Sequence, residues 1–135
     1  MQRTMLLAVC LSAAAMPATA QEMGPIFHNG SRALFTRDNG HVEIRYDSPR
    51  PGLPVREGTL LFEGTYDKRG FYSGTAYTFK RGCEPAPYAV AGKDSGPGIV
   101  LMGVAPHRDP HSCAVIGDSV SGRNSRLVFE FEPED

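Results

Sequence analysis

Hydrophobic and polar residues alternate along several short stretches of this chain. In one stretch Val42, Ile44 and Tyr46 occupy every second position, with His41 and Arg45 among the polar residues around them. A period of two places alternate side chains on opposite faces of an extended strand. The pattern therefore predicts strands with one packed face and one wet face, and it gives no sign of amphipathic helices.

Turn-forming residues separate these stretches. Asp38-Asn39-Gly40 predicts a hairpin turn, and Asp67–Gly70 predicts a second one. The prolines between Ser48 and Gly58 exclude a central strand there, because proline cannot donate to a sheet ladder, so this segment is expected to form a long loop. The strand-forming runs are ALFTR, HVEIRY, TLLFEGTY, FYSGTAYTF, YAVAG, GIVLMGVA, CAVIG and RLVFEFE.

These runs predict an all-β fold. No crossover helix is evident between them, so neighbouring strands are expected to be antiparallel and joined by hairpins. Gly64 and Gly74 lie in the middle of strands, where glycine marks a bulge, a bend or a close backbone approach. We therefore expect a small single-domain antiparallel β-barrel, with a sandwich as the alternative, of about eight short strands with one disulfide.

The first residues have the three parts of a secretory signal peptide. Arg3 supplies the positive charge, Met5–Ala15 is an apolar run too short to cross a bilayer, and Ala18-Thr19-Ala20 fits a cleavage site. The sequence predicts a signal peptide over residues 1–20 and a single all-β domain over residues 21–135.

An alternative for this segment is lipidation of Cys10, since Leu7-Ala8-Val9-Cys10 weakly resembles a lipobox. Bulky Val9 stands where a small residue is expected, which favours cleavage after Ala20 instead. No other segment is long and apolar enough to span a membrane. The protein is therefore expected to be exported, either periplasmic or secreted, without a membrane span.

The charge distribution argues against nucleic acid as a partner. The chain has 14 Lys and Arg against 15 Asp and Glu, a formal net charge of −1. Both signs are spread along the sequence, and no basic run or basic helix is present. We expect no nucleic-acid partner.

Two cysteines remain after the predicted signal peptide. In an oxidising compartment Cys83 and Cys113 are expected to form a disulfide. The alternative is a metal site of His107, His111 and the two cysteines, because two histidines three residues apart are compatible with zinc. Pro110 lies between the histidines and prevents them from sharing a helical face, so we predict the disulfide and no metal or cofactor.

Catalytic motifs are not evident. None of the serines lies in a nucleophile elbow or in a Ser-x-x-Lys motif. His28 and His41 stand among polar residues and are predicted to be surface groups. A small exported hydrolase that uses His107, Asp109 or His111 remains an alternative, but we predict no catalytic residues.

The segments HNGS, PRPGL, GTLLFEG, GTAYTF, GC, PYAVAG, GVAP and RLVFEF together resemble a family of bacterial exported proteins and domains of unknown function. The resemblance extends from His28 to about Phe131. In longer proteins, similar segments follow a caspase-like protease domain. The resemblance implies an exported domain with the cysteine pair, and it implies no particular reaction.

The predicted function is therefore a non-catalytic binding or interaction module. Its candidate surface lies on two proline-containing loops and comprises Arg50, Arg56, Arg81 and Tyr88, residue types that are favoured at interfaces. The expected partner is an extracytoplasmic protein, peptide or glycan. A further alternative is an inhibitor of an extracytoplasmic hydrolase.

Overall fold

The computed structural model describes Ser12 and residues 21–133. The predicted signal peptide, its cleavage site and Cys10 lie outside the described residues, apart from Ser12, and stay predictions. The described chain forms ten strands and one 3₁₀ turn. These are β1 (Glu22–His28), β2 (Ser31–Asp38), β3 (His41–Ser48), β4 (Leu60–Tyr66), β5 (Phe71–Thr78), β6 (Ala86–Asp94), β7 (Gly98–Gly103), β8 (Ala105–Arg108), β9 (Val115–Ser119), the turn η1 (Arg123–Ser125) and β10 (Arg126–Phe131).

Eight of the strands close into an antiparallel barrel. Their order around the barrel is β1-β10-β7-β6-β5-β4-β3-β2, and β1 pairs with both β10 and β2. The predicted all-β barrel with antiparallel neighbours is confirmed, and the sandwich alternative is not needed. Within the described residues, no helix has the length and apolar character that a membrane crossing requires.

Local sequence sets two of the hairpins. Asn39 and Gly40 have φ of 51° and 81°, and Asn29 and Gly30 have φ of 46° and 78°. Positive φ at both central residues is characteristic of the type I′ turn, which matches the twist of antiparallel strands. The Asn-Gly pairs therefore fix the β2–β3 and β1–β2 connections.

Side chains fill the interior of the barrel. The alternation predicted for β3 is confirmed, since Val42, Ile44 and Tyr46 are all buried. Gly64 and Gly74 face each other across β4 and β5, and a Cβ on either would overlap a backbone carbonyl oxygen of the other strand. Close backbone approach is therefore the reason for glycine at both positions.

The strand assignment differs from the sequence prediction in three places. β1 was not predicted, because Gly24 and Pro25 resemble a strand breaker. The run GIVLMGVA is divided between β7 and β8. The run CAVIG leaves the barrel, because β9 pairs with β8 in a separate two-stranded sheet.

Candidate functional site

The segment with two histidines forms part of a hairpin outside the barrel. His107 lies in β8 and His111 in the turn before β9, and both are exposed. The Asp109 carboxylate accepts a hydrogen bond from the backbone N–H of His111 at 2.7 Å, which stabilises the turn. Among residues 21–133, no hydrogen bond joins these three side chains. The hydrolase alternative therefore stays a hypothesis.

Cys83 and Cys113 form the predicted disulfide, with their Cα atoms 5.5 Å apart. The metal interpretation is wrong, because disulfide sulfurs are not the thiolates that zinc requires. The bond joins the β5–β6 loop to the β8–β9 hairpin. On the chain-entropy model, a cross-link over a sequence separation of 30 stabilises the fold by about 3.5 kcal/mol.

Two cationic side chains reinforce this connection. Lys80 Nζ donates to the carbonyl oxygens of Asp109 and Ser112 at 2.9 and 2.7 Å. Arg108 donates to the carbonyl oxygen of Glu84 at 2.6 Å. The hairpin is therefore held against the β5–β6 loop by a covalent bond and by charge-assisted hydrogen bonds.

The structure separates the four residues of the predicted binding surface. Arg56 and Arg81 are exposed on their loops. Tyr88 is only 8% exposed, and its hydroxyl donates to the carbonyl oxygen of Asn124 at 2.6 Å. Tyr88 is therefore an interior residue and not part of an exposed surface. Arg50 is half-buried and lines a cavity at one end of the barrel.

We call this end of the barrel the mouth. It is where β1, β3 and β5 end and where β2, β4 and β10 begin, and it contains a cavity of about 200 Å³. The cavity is smaller than the pockets that enclose drug-sized ligands. Its walls are formed by His28, Asn29, Ser31, Tyr46, Arg50, Leu53, Leu61, Tyr77, Thr78, Phe79, Arg123, Asn124 and Leu127.

His28 is a wall of this cavity, so its prediction as a surface group is wrong. It is only 7% exposed and stacks on the Phe129 ring with centroids 4.7 Å apart. The cause is the alternation of β1, which places His28 on the same face as buried Ile26. His41 is exposed, as predicted.

Both ring nitrogens of His28 are engaged. Nδ1 lies 2.8 Å from the carbonyl oxygen of Val128, and Nε2 lies 3.3 Å from the side-chain amide nitrogen, Nδ2, of Asn29. These contacts assign the neutral tautomer with the proton on Nδ1, because the carbonyl can only accept and the amide nitrogen can only donate. Burial lowers the pKa of His28, the bond to Val128 opposes this, and the charge of Arg50 lowers the pKa further.

Two hydroxyl groups belong to the same walls. Thr78 is 8% exposed, and its Oγ1 is buried without a hydrogen-bond partner in the protein. Tyr46 is also buried, and burial raises its pKa to about 12. The Tyr46 phenol carries its proton at neutral pH, as any phenol with a pKa of about 10 or higher does, and it can donate a hydrogen bond.

The side chains that line the mouth carry a net positive charge. Arg50 and Arg123 are the charged side chains among the lining residues, which include no Asp or Glu. The backbone N–H of Arg50 donates to Ser31 Oγ at 2.9 Å and fixes the long loop to the barrel. Arg123 is exposed on η1, at the rim of the cavity.

The polar groups of the cavity lining differ in whether the protein already engages them. A general base needs a free nitrogen or carboxylate within reach of the proton that it removes. Both nitrogens of His28 are occupied, and Ser31 Oγ already accepts a hydrogen bond. The lining instead offers guanidinium and hydroxyl donors.

A second cluster of ligating side chains lies on the outer wall of the barrel. Within the described residues, His41, Glu43 and Glu63 are the one group with ligand atoms close enough for a metal ion. Glu43 and Glu63 are directly opposite in β3 and β4. Glu43 is already bonded to Arg45 at 3.0 Å, and this bond is the main cause of its lowered pKa. We therefore interpret this cluster as surface side chains that are paired with neighbouring groups.

No family model matches the chain, and no match is found among curated proteins or solved structures. The resemblance to exported bacterial domains therefore stays a prediction.

Proposed function

We propose that the protein is an exported, non-catalytic binding module whose ligand site is the cavity at the mouth of the barrel. The observation that carries this proposal is the Oγ1 of Thr78, which faces no partner in the protein although it is buried. Leaving such a group unsatisfied costs about 1–3 kcal/mol. Thr78 lines the cavity, so rotation about its Cα–Cβ bond would turn the buried hydroxyl towards a ligand there, and a hydrogen bond to that ligand would recover the cost.

The surroundings of Thr78 support ligand binding. Tyr46, Asn124 and Arg50 line the same cavity, so an apolar wall is combined with several polar residues around one small space. This combination is typical of small-molecule sites. The volume of about 200 Å³ suits a small molecule or one end of a longer peptide or glycan.

Two features support an exported location. The signal peptide predicted over residues 1–20 would direct the chain out of the cytoplasm. The Cys83–Cys113 disulfide is consistent with an oxidising compartment, where such bonds persist.

A fragment screen on isotope-labelled protein tests the ligand site. The fragments should include anionic, cationic and neutral compounds, and binding is mapped by backbone amide shifts. We expect hits to shift the amides of Ser31, Thr78 and Asn124 and to leave those of Gly24 and Asp94, at the other end of the barrel, unchanged. Hits confined to other surfaces would contradict the proposal.

The variant Thr78→Val provides a matched test, because it removes the hydroxyl and nearly preserves the shape. We expect it to weaken binding of the mouth hits. We also expect the free energy of unfolding to be unchanged or to rise by up to about 1 kcal/mol, because a buried hydroxyl without a partner is removed. Thr75→Val is the control, since Thr75 is only half-buried on the other face of β5. A large loss of stability in Thr78→Val would mean that the hydroxyl is a structural group.

Inhibition of an extracytoplasmic hydrolase is a second candidate, favoured by the β8–β9 hairpin. Val115 and Ile116 are 53% and 58% exposed on a hairpin that the disulfide holds in place. Rigid projecting segments with exposed apolar residues are features of protein-docking surfaces. Assays of purified exported proteases and cell-wall hydrolases with and without the protein test this, with Ile116→Asp expected to remove any inhibition.

A further inference from the structure

We infer that the ligand of the mouth cavity carries a compact anionic group, a carboxylate or a phosphate, which Arg50 binds from the long loop and Arg123 binds from the rim. This inference rests on the proposed function and adds the chemical class of the ligand. It follows from three observations on charge, on hydrogen-bond donors and on the other arginines of the barrel.

The first observation is an unbalanced charge. The lining includes two arginines and no carboxylate. Arg50 is half-buried, and one of its five N–H donors makes a contact, at 3.4 Å, with the carbonyl oxygen of Asn29. The remaining donors are available to a planar or tetrahedral anion, for which guanidinium geometry is well matched.

The second observation comes from the other arginines of the barrel. Within residues 21–133, Arg32, Arg37, Arg45 and Arg69 each form a salt bridge with a carboxylate of the protein. Six arginines form none in that part of the chain, and of these six only Arg50 and Arg123 line the cavity; the other four are Arg56, Arg81, Arg108 and Arg126. The two arginines at the mouth therefore differ from arginines that the fold itself neutralises.

The third observation is the chemistry of the neutral lining groups. The hydroxyl of Thr78 is without a partner in the protein, and the Tyr46 phenol, which lines the same cavity, carries its proton at neutral pH. Both groups can donate to an anion. Arg50 and His28 line the same cavity, and the charge of Arg50 contributes to the lowered pKa of His28.

A cationic ligand is unfavourable at this site, because it would approach two arginines without a counter-charge. A neutral ligand could use the hydroxyl and amide groups, but it would leave the guanidinium of Arg50 without its preferred acceptor. The carboxylate of a peptide end or sugar acid and the oxygens of a phosphate share the chemistry that the mouth offers. Titration with separate carboxylate and phosphate probes distinguishes these two kinds of ligand.

The experiment is a set of chemical-shift titrations of the protein from residue 21 onward, at constant ionic strength and pH 7. Acetate, D-glucuronate and inorganic phosphate are the anionic probes. Acetamide and D-glucose are the matched neutral probes, since each has nearly the shape of an anionic partner. We expect the amides of Ser31, Thr78 and Asn124 to respond to at least one anion. Where that anion is a carboxylate, we expect its neutral partner to bind at least about tenfold more weakly.

Comparison of the anions identifies the source. A response to acetate and D-glucuronate but not to phosphate assigns a carboxylate, and the reverse assigns a phosphate. Either result supports the inference. The titration of His28 gives a readout that needs no variant, because an anion held by Arg50 should raise the pKa of His28 in the unmodified protein.

Variants assign the binding to the mouth. Arg50→Gln should weaken binding of the responding anion by about tenfold or more, as loss of a charge-assisted hydrogen bond does. Arg123→Gln should have a smaller effect, because its side chain is exposed. Arg56→Gln and Arg81→Gln are the matched controls, since both are exposed loop arginines outside the cavity lining. Their affinities should stay within about twofold of the unmodified protein.

The failures can be told apart. Equal binding of acetate and acetamide, or of D-glucuronate and D-glucose, together with no effect of Arg50→Gln, would overturn the anionic inference and leave the binding proposal standing. Equal losses in Arg50→Gln and Arg56→Gln would also overturn it, because a general loss of positive charge would then explain the result. If neither these probes nor the fragment set shifts the mouth amides, both proposals are wrong.

Discussion

The two ends of the barrel use similar residues in opposite ways. At the end away from the mouth, the guanidinium of Arg37 bonds to Glu22, donates to the Tyr72 hydroxyl at 3.3 Å and lies 3.9 Å from the centre of the Tyr66 ring. At the mouth, Arg50 has no carboxylate partner among the described residues. Each end therefore has an arginine and buried tyrosine, but only one arginine is neutralised by the fold. We call the end with Arg37 the paired end.

The tyrosines show the same contrast. At the paired end, the hydroxyls of Tyr72 and Tyr66 donate to the two carboxylate oxygens of Asp94 at 2.9 and 3.4 Å. Burial, followed by the bond to Asp94, raises the pKa of Tyr72. A cavity of about 250 Å³ also lies here, but its polar walls are bonded to one another.

The two ends differ in whether their polar groups are bonded within the protein or are free to bind a ligand. Polar groups that satisfy each other contribute to folding and leave little for a ligand, whereas polar groups without partners impose a cost that a ligand can remove. The carboxylates of Glu22 and Asp94 would also repel an anion at the paired end. The same fold therefore presents one structural end and one candidate binding end.

The largest expected effect concerns the core that separates the two ends. Phe62 is fully buried and pairs with Ile44 and Ala76 on the neighbouring strands. We expect Phe62→Ala to lower the free energy of unfolding by about 3–5 kcal/mol, because a large cavity would form.

Urea unfolding measures this effect. Phe71→Ala is the control, because Phe71 is 50% exposed, and its loss should stay below about 1 kcal/mol. Similar losses in the two variants would mean that the interior is not a packed layer, and the two ends could then not be treated as separate.

The next effect concerns the mouth side, where the disulfide connects the β5–β6 loop to the hairpin. We expect Cys113→Ser to lower stability by about 2–5 kcal/mol, as removal of a native disulfide does. His107→Ala/His111→Ala should change stability by less than about 0.5 kcal/mol, because both side chains are exposed.

Thermal unfolding with and without reductant measures the disulfide effect, and a chelator is the second control. Reductant should destabilise the unmodified protein and have no further effect on Cys113→Ser. A chelator that unfolds the oxidised protein would contradict the disulfide assignment.

A pair of tyrosine variants compares the two ends directly. Tyr72→Phe removes one hydroxyl that is bonded to Asp94 and Arg37, and we expect a loss of about 1–3 kcal/mol because the bond to Asp94 involves a charged group. Tyr46→Phe removes a hydroxyl at the mouth and should cost less than about 0.5 kcal/mol. Chemical denaturation of both variants at pH 7 gives the comparison. Equal losses would show that the polar groups at the mouth stabilise the fold as much as the polar groups at the paired end do.

Local features explain why much of the barrel could be predicted. The alternation of Val42, Ile44 and Tyr46 and the Asn39-Gly40 turn are decided by neighbours in the sequence. The turn at Asn29-Gly30 has the same signal, so the hairpin that contains β1 could have been found. The disulfide followed from the number of cysteines and the predicted compartment.

The mouth could not be predicted in the same way. His28, Tyr46, Thr78 and Asn124 meet there from positions nearly one hundred residues apart. Their convergence depends on how the barrel closes and on which strands are neighbours. The sequence singled out Arg50 as an interface residue, but it carried no sign that Arg50 lies beside a cavity or that Tyr88 is buried.

The smallest expected effect is a pH dependence that arises at the mouth. Burial lowers the pKa of His28 below its ordinary value of 6.5. The unfolded chain therefore binds a proton at a higher pH than the folded protein does. Stability from this group is fully present above about pH 6.5 and is lost as the pH falls through 6.5 towards the folded pKa.

Urea unfolding at pH 7.5 and pH 5.5 measures this difference in the unmodified protein and in His28→Gln. We expect the unmodified protein to lose more stability on acidification than His28→Gln does, because glutamine does not titrate. His107→Gln is the matched control, since His107 is exposed on β8, and it should behave like the unmodified protein. The same loss in His28→Gln would show that another group causes the pH dependence, and His28 could then not serve as a reporter of charge at the mouth.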